Sequence, residues 1–417
     1  MLTIEKLVKE ENERQNNHIE LIASENFTSK RIRNLCGSVL TNKYAEGYPG
    51  KRYYGGCNVI DRVETLAIEN AKRLFECKFA NVQPHSGSQA NFSAYVALKN
   101  WIGIKDRKMK ILSMSLSNGG HLTHGSPVSF SANDYEFSFF ELNKDGRIDV
   151  KIVEKAIKAE KPDALLLGYS CYTYQIAFAP FAEICKKNKI KLIVDMAHFA
   201  GIVAAGLHDN PCKYADLVTS TTHKTLRGPR GAIILCNDED LAKKVNSAVF
   251  PYAQGGPLEH IIAGKALGFE EAAQPKFKQY MEEVLKNTVA CAEKLRSLGA
   301  TVVLPENHLF MLNTKKSFGL TGLDAQHILE EYNITTNKNM LPDDDEKPNV
   351  TSGLRIGFPA MTTRGCNEQD AREIGQIIYD ILKYRSNKGA NEFEEGQKHL
   401  TARVQRLTRK MKRVEKL

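Results

Sequence analysis

A lysine stands among hydroxyl-bearing side chains in the segment DLVTSTTHKTLRGPRG, just after a predicted strand. An amine in such polar surroundings can be activated to attack a carbonyl carbon and form an imine. A solvated surface lysine is the commoner explanation for any one lysine, so Lys224 alone identifies no chemistry. Its hydroxyl-bearing neighbours are Thr219, Ser220, Thr221, Thr222 and Thr225.

A carboxylate and a histidine follow an apolar run one βα unit earlier, in KLIVDMAH. Asp195 ends the run and His198 comes three residues later. A buried carboxylate needs a partner, because leaving a charge unpaired away from water is costly. The protonated ring nitrogen of a ligand would serve, and an aspartate that caps the next helix is the ordinary alternative.

The segment HSGSQAN, at 85–91, follows another predicted strand and opens a helix. Small residues at a helix N-terminus present free backbone N–H groups to a phosphate, although Ser86 or Ser88 could simply cap the helix. Together the three segments supply a phosphate cradle, a carboxylate for a pyridinium nitrogen and an imine-forming lysine. Those are the anchors of pyridoxal 5′-phosphate, and the combination is more specific than any of its parts.

The elements that must position these residues are short apolar runs alternating with helical stretches. This alternation predicts an α/β fold with a mostly parallel central sheet and helices on both faces. Ligands of such sheets bind beyond the carboxyl ends of the strands, where the three segments converge. The runs are 81–83, 111–114, 164–168, 192–194, 217–219 and 232–235.

The pattern along the chain predicts three segments. Residues 1–57 form an N-terminal helix followed by an arm with active-site loops, and 58–270 form the large cofactor-binding α/β domain. A long helical stretch from Pro257 to Leu298, stopped by Gly299, leads into alternating short strands and helices. Residues 271–417 are therefore expected to form a smaller α+β domain that ends in a basic amphipathic helix.

The net charge of +9 is concentrated near the end of the chain. Residues 398–417 hold eight basic residues against Glu415, and the remaining chain is nearly neutral. Apolar residues recur there at alternating spacings of four and three, which favours a helix docked on the protein over a nucleic-acid arm. They are Leu400, Val404, Leu407, Met411, Val414 and Leu417.

Other classes of protein are disfavoured by the composition. The nine cysteines are scattered without a C-x-x-C pair, which argues against a disulfide framework and against a zinc site, and we predict no metal. The most apolar stretch is interrupted by Asp195 and His198, and the N-terminus is charged from Glu5 onward. We therefore expect a cytoplasmic protein with no membrane span.

The sequence resembles the serine hydroxymethyltransferase family of bacterial type, within the fold-type I pyridoxal-phosphate enzymes. The resemblance runs from about Leu7 to Tyr384. It is carried by IELIASENF, LTNKYAEGYPGKRYYGGC, NVQPHSGSQAN, GGHLTHGSPV, VDMAHFAG, TSTTHKTLRGPRG and SGLRIG. It implies reversible transfer of the hydroxymethyl carbon of serine to tetrahydrofolate, giving glycine and 5,10-methylenetetrahydrofolate. It also implies a side activity as a β-hydroxy amino acid aldolase and a homodimer with shared active sites.

The resemblance implies a role for each matching residue around the cofactor. Lys224 would bind pyridoxal phosphate covalently, Asp195 would pair with the ring nitrogen, and His121 would stack on the ring. His198 and Ser170 would lie near the phenolic oxygen, and Thr221 is counted among the catalytic residues. The phosphate would be bound by Gly87, Ser88, Gln89, His223 and, from a neighbouring subunit, Tyr44 and Gly256.

The resemblance also implies roles toward the two substrates. Arg355 would bind the amino acid carboxylate, helped by Ser24 and by Tyr54 of a neighbouring subunit. Glu46 would be the acid and base at the serine hydroxyl and at folate. The pteridine site would be lined by Leu116, Gly120, Leu122 and Asn339.

A close alternative is a pyridoxal-phosphate aldolase or racemase that acts on β-hydroxy amino acids without folate. The segments NITTNKN and LSNGGHL favour the folate-dependent enzyme. A nucleic-acid-binding protein that uses residues 398–417 is a different class, and the apolar stripe of that segment argues against it.

Overall fold

The computed structural model describes residues 3–342, 344–387 and 393–417. The chain forms two compact units, and each unit combines segments that are separated in the sequence. The larger unit consists of Arg31–Ser170 and Gln175–Lys278, and the smaller of Met1–Lys30, Cys171–Tyr174 and Gln279–Leu417.

The larger unit is built on a seven-stranded sheet covered by helices. Its strands are β4 (Phe79–Asn81), β5 (Lys110–Met114), β6 (Glu136–Phe140), β7 (Ala164–Gly168), β8 (Lys191–Asp195), β9 (Leu217–Thr221) and β10 (Ala232–Cys236). The spatial order is β4-β10-β9-β8-β7-β5-β6, and only β10 runs antiparallel to its neighbours. The predicted mostly parallel sheet is confirmed.

Strands β7, β9 and β10 are buried along their whole length, as expected for strands covered on both faces. Strand β6 was not predicted. Its sequence EFSFF lies at the sheet edge and only Phe140 is fully buried, so it lacks the continuous apolar run of the inner strands.

Helices of the larger unit surround this sheet and carry the connecting loops. They are α2 (Lys30–Cys36), α3 (Asn58–Phe75), α4 (Gly87–Trp101), α5 (Phe130–Asp134), α6 (Val150–Glu160), α7 (Phe178–Asn188), α8 (Ala200–Ala204), α9 (Glu239–Ser247) and α10 (Glu259–Ala272). A small hairpin of β2 (Gly47–Tyr48) and β3 (Lys51–Arg52) lies in the same unit. Helix α4 packs on β9 and β10, and α3 packs along α10.

The smaller unit contains a four-stranded antiparallel sheet in the order β11-β12-β15-β14. A short parallel pair, β1 (Ile19–Glu20) with β13 (Ile334–Thr335), joins the N-terminal segment to this unit. The sheet strands are β11 (Thr301–Val302), β12 (Leu309–Asn313), β14 (Asn337–Asn339) and β15 (Gly353–Gly357). The helices are α1 (Ile4–Asn17), α11 (Pro275–Ser297), α12 (Thr314–Phe318), α13 (Gly322–Glu331), α14 (Pro359–Thr363), α15 (Glu368–Asn387) and α16 (Phe393–Lys410).

The prediction of one long helix up to Leu298 was wrong, because α10 ends at Ala272 and α11 begins at Pro275. Proline has no backbone N–H and disfavours helical backbone in the residue before it, so the helix breaks there. The stop at Gly299 agrees with its φ of +96°.

Helix α16 docks on the smaller unit as the apolar stripe predicts. Leu400, Val404, Leu407 and Met411 are buried in one core with residues of α15 such as Ile378 and Ile381. None of the helices within the residues described is both long and apolar enough to cross a membrane.

Candidate active site

Asp195 ends strand β8 and is almost fully buried. Its Oδ2 accepts a hydrogen bond from the Asn91 amide at 2.9 Å and lies 3.1 Å from His124 Nε2, while its Oδ1 accepts from the Ala197 N–H. Burial by itself would raise the pKa of Asp195, but the bonds from His124 and Asn91 outweigh it and hold that pKa far below its usual value. The carboxylate is therefore ionised although it is buried.

The partners of Asp195 form a continuous hydrogen-bonded network, here called the strand-edge cluster: Asn91, His121, Thr123, His124 and Asp195. His121 Nδ1 lies 2.8 Å from Thr123 Oγ1, and that hydroxyl accepts from the Asn91 amide at 2.8 Å. Of these five residues, His121 and Asp195 were predicted from the sequence, and Asn91, Thr123 and His124 were not. The second histidine of GGHLTHG, three residues after His121, could have indicated His124 from the sequence.

Lys224 follows β9 and is buried. Thr225, the residue after Lys224, hydrogen-bonds to the segment that follows β8. Its Oγ1 donates to the His198 carbonyl at 2.8 Å and accepts from the Gly201 N–H at 2.9 Å. A Cβ on Gly201 would lie only 2.4 Å from the Thr225 backbone. The segments that carry Lys224 and His198 are therefore in direct contact.

The predicted phosphate cradle is the N-terminus of α4. Ser86 caps the helix by accepting from the Gln89 N–H, and the Gln89 side chain accepts from the His85 N–H and donates to Gln254. A Cβ on Gly87 would lie 2.7 Å from the Thr221 side chain, so glycine allows the helix start to approach β9. Ser88 is exposed in the first turn.

His223 adds an unused polar atom to this region. Burial and the neighbouring Arg230 and Lys224 lower the pKa of His223 to about 3, so its ring is neutral. Its Nδ1 is buried and has no hydrogen-bond partner among the residues that the structure describes. Buried nitrogens are rarely left without partners, so a ligand atom is the natural partner here.

These residues fit pyridoxal phosphate. Asp195 offers an ionised carboxylate at a strand end, α4 offers free N–H groups behind small residues, and His223 offers an unbonded ring nitrogen. Lys224 supplies the amine. The cofactor's ring nitrogen, phosphate and aldehyde carbon each need one of these groups.

A second group of residues meets in the larger unit, here called the loop cluster: the predicted Tyr44, Glu46, Tyr54 and Gly256, together with Gly255. The Tyr44 hydroxyl lies 3.4 Å from Glu46 Oε1, and the Tyr44 and Tyr54 rings pack edge to face at 5.2 Å. The Glu46 carboxylate raises the pKa of the Tyr54 phenol. A Cβ on Gly255 would lie 2.8 Å from Glu46 Oε1, and one on Gly256 would lie 3.2 Å from the Tyr44 ring.

Arg355 and Ser24 meet within the smaller unit. Arg355 lies on β15 and is buried, which lowers the pKa of its guanidinium. Its Nη2 donates to Ser24 Oγ at 3.4 Å and its Nε donates to Asn337 Oδ1 at 3.2 Å. Asn337 was missed by the sequence analysis, although it lies in the segment NITTNKN. A guanidinium fork held in this way suits a carboxylate ligand.

The predicted folate residues are divided between the units. Leu116, Gly120 and Leu122 lie on the loop after β5, and both leucines are exposed. A Cβ on Gly120 would lie 2.3 Å from the Met114 carbonyl, so glycine allows this loop to lie tightly against the strand end. The Ser170 N–H donates to the Gly119 carbonyl of the same loop. Asn339 is on β14 of the smaller unit, where its amide donates to the Met340 carbonyl.

Comparison with known proteins gives one consistent family. The family model described as Serine hydroxymethyltransferase matches residues 2–378. The serine hydroxymethyltransferases of Mycoplasma mycoides subsp. mycoides SC and Mycoplasma capricolum subsp. capricolum are 52% identical over 383 residues and 51% identical over 388 residues, covering 91% and 92% of both chains. That of Mycoplasma mobile is 47% identical over 408 residues, which are 97% of this chain and 96% of the relative.

Proposed function

The chain belongs to the serine hydroxymethyltransferase family, and from this premise we infer that it transfers the hydroxymethyl carbon of serine to tetrahydrofolate. The products are glycine and 5,10-methylenetetrahydrofolate, the cofactor is pyridoxal phosphate and tetrahydrofolate is the co-substrate. The observation that supports this function is the buried, ionised Asp195, hydrogen-bonded to Asn91 and close to His124, in a chain matched by the family over residues 2–378.

We propose that the larger unit holds the cofactor. Lys224 would bind its aldehyde carbon, and the ionised Asp195 would keep a proton on its ring nitrogen. When bound, pyridoxal phosphate supplies a protonated ring that accepts electron density from the bond that breaks. His121 would cover one face of that ring, and His198 and Ser170 would lie near its phenolic oxygen.

The phosphate is bound at the start of α4 in this proposal. Gly87, Ser88 and Gln89 would offer helix N-terminal N–H groups or side-chain donors, and the buried Nδ1 of His223 is proposed as a further contact of the phosphate. Thr221 contacts Gly87 and so forms the wall beside this cradle. Tyr44 and Gly256 of a neighbouring subunit complete it.

We propose that Arg355 and Ser24 bind the carboxylate of serine, together with Tyr54 of a neighbouring subunit. Glu46 then moves the proton at the serine hydroxyl oxygen, since that proton must leave as the carbon–carbon bond breaks. The raised pKa of the Tyr54 phenol keeps it protonated, so it can donate a hydrogen bond beside Glu46.

The pteridine ring of folate is proposed to lie against Leu116, Gly120 and Leu122, with Asn339 donating to a ring atom. Two exposed leucines beside a tightly held glycine make an apolar platform for a flat ring. A side activity as a β-hydroxy amino acid aldolase would use the same carboxylate and cofactor contacts without this platform.

A homodimer with shared active sites is supported by exposed apolar side chains of the larger unit. Most of them lie on α3, just before α10 and in the 39–54 segment, where α3 and α10 pack against each other, and a monomer rarely exposes such a group. They are Val39, Tyr53, Val59, Leu66, Tyr252 and Leu258. We propose that this surface joins two copies in the cytoplasm.

The deciding experiment measures glycine formation from serine by the purified holoenzyme with and without tetrahydrofolate. The expected result is a large increase in the rate with tetrahydrofolate. Equal rates would refute the folate-dependent function and leave the folate-independent aldolase, which cleavage of a β-hydroxy amino acid would then identify.

A further inference from the structure

The side chain of Arg52 donates hydrogen bonds to the main chain of the loop that carries Glu46. The Arg52 guanidinium Nη1 donates to the Ala45 carbonyl at 2.8 Å and to the Gly47 carbonyl at 2.9 Å, so it bonds to the residue before Glu46 and to the residue after it. The carbonyl of Glu46 itself accepts from the Tyr53 N–H. The main chain at Glu46 therefore has a donor on each of three successive carbonyls.

The other edge of the guanidinium is fixed by helix α3. Arg52 Nε donates to Asp61 at 2.9 Å and Nη2 donates to Glu64 at 2.6 Å, and the side chains of Arg52 and Glu64 are almost fully buried. Gln83 adds a second bridge, because its amide donates to both the Gly47 carbonyl and Glu64. The guanidinium of Arg52 therefore connects the Glu46 loop to helix α3 and sets the position of the loop.

Glycine is required at the turn of this loop. Gly47 has a φ of +97°, and a Cβ there would lie 2.2 Å from the Lys51 carbonyl. The close approach allows the hairpin register in which Gly47 pairs with Arg52. Loop conformation and the Arg52 contacts therefore support the same placement of Glu46.

We propose that Arg52 is a positioning residue for the proton transfer carried out by Glu46. This inference rests on the proposed role of Glu46 and adds the group that holds it in place. A lysine ammonium is not a planar fork and cannot reproduce the set of contacts made by a guanidinium. Displacement of a catalytic group by about 1 Å can cost about 100-fold in rate.

A purely structural role for Arg52 is the alternative that an experiment must exclude. Arg52 also lies 3.6 Å from Glu259, whose pKa burial raises to about 8, so the guanidinium offsets buried acidic groups. Arg52→Lys keeps the positive charge and is therefore the variant of choice.

The test compares two reactions of the Arg52→Lys holoenzyme. One is glycine formation from serine with tetrahydrofolate, which needs the proton transfer at the serine hydroxyl. The other is exchange of the glycine α-proton with deuterated water, followed by NMR without folate, which involves no hydroxyl. We expect kcat for serine to fall about 100-fold, while glycine exchange and the cofactor absorbance remain within twofold of the wild type.

The control is Arg107→Lys, which alters an exposed arginine that contacts Asp163 in the same unit and should change neither reaction. Equal losses in both reactions for Arg52→Lys would overturn the inference, because a structural defect does not distinguish them. If Arg52→Lys does not fold, Gln83→Met decides. It removes one donor to the Gly47 carbonyl and should give the same selective loss, smaller in size because Arg52 still donates to that carbonyl.

A double variant separates this inference from the role of Glu46 itself. If Arg52 acts through Glu46, Glu46→Gln/Arg52→Lys should be no slower with serine than Glu46→Gln alone, because the two residues act as one unit. Multiplying losses would refute the positioning role and leave Glu46 as the acid and base. Undiminished serine cleavage by Glu46→Gln would refute both.

Discussion

Two buried charges in this chain have different surroundings, Asp195 in the larger unit and Arg364 in the smaller. Asp195 is held by side chains that come from separate elements, namely Asn91 on α4 and His124 on the loop after β5. Arg364 is almost fully buried and donates to main-chain carbonyls at the ends of α1 and α16. Those carbonyls belong to Gln15, Asn16, His18, Thr408 and Lys412.

The two arrangements have different consequences. The carbonyls at a helix C-terminus have no partner within their own helix, so Arg364 satisfies groups that folding would otherwise leave unbonded. The Asp195 network is made of titratable or polar side chains, which hold a charged carboxylate at a strand end. The first arrangement stabilises the fold, and the second is the one that we propose binds the cofactor.

The largest effect is expected in the larger unit, for Lys224→Gln. The amide cannot form the covalent link, so we expect the visible absorbance of the bound cofactor to disappear and the serine reaction to slow by more than ~1000-fold, about 4 kcal/mol. Absorbance and borohydride reduction check this result, and the urea midpoint of the apo-protein should stay near that of the wild type. A cofactor linkage that borohydride still reduces would contradict the assignment of Lys224.

Arg364→Ala should lower the stability of the protein and leave its activity unchanged, the opposite of Lys224→Gln. Several buried carbonyls lose their donor at once, and each unpaired group costs about 1–3 kcal/mol, so the free energy of unfolding should fall by at least about 3 kcal/mol. Urea denaturation of the apo-protein measures this, and kcat of the folded variant should be unchanged. The control is Arg403→Ala, whose partners Glu373 and Asp380 lie near the surface, with an expected loss of about 1 kcal/mol. Equal losses for the two variants would remove the distinction drawn for Arg364.

The pH dependence of stability offers a third test. The pKa of His223 is about 3 in the folded protein and near 6.5 in the unfolded chain, so only the unfolded chain takes up this proton as the pH falls below 6.5. The stabilisation is present above pH 6.5 and lost on acidification, by about 2 kcal/mol between pH 7 and pH 5. The apo His223→Asn variant should lack this part of the pH dependence in urea titrations. An identical pH slope in the two proteins would show that His223 titrates normally.

The sequence predicted the anchors at strand ends better than it predicted their partners. Lys224, Asp195 and the start of α4 each stand beside a local signal, an apolar run or a set of small residues. Asn91 bonds to Asp195 only because α4 packs over the sheet, and such a contact depends on tertiary placement that no spacing encodes. The helix break before Pro275 could have been predicted from the sequence, because a proline disfavours a continuous helix. It was not predicted because the apolar periodicity continues on both sides of that proline.

The smallest effect is expected on the outer face of α16, where much of the net charge lies. Arg406 and Arg409 are exposed, and the Arg406 guanidinium reaches Glu373 only at 3.7 Å. Arg406→Ala/Arg409→Ala should change the free energy of unfolding by less than about 0.5 kcal/mol and leave kcat unchanged. Val404→Ala on the buried face of the same helix should cost about 2 kcal/mol, because it opens space in the core. Salt-sensitive DNA binding that the double variant abolishes would contradict this division, since it would give the exposed charges a function that the docked helix does not require.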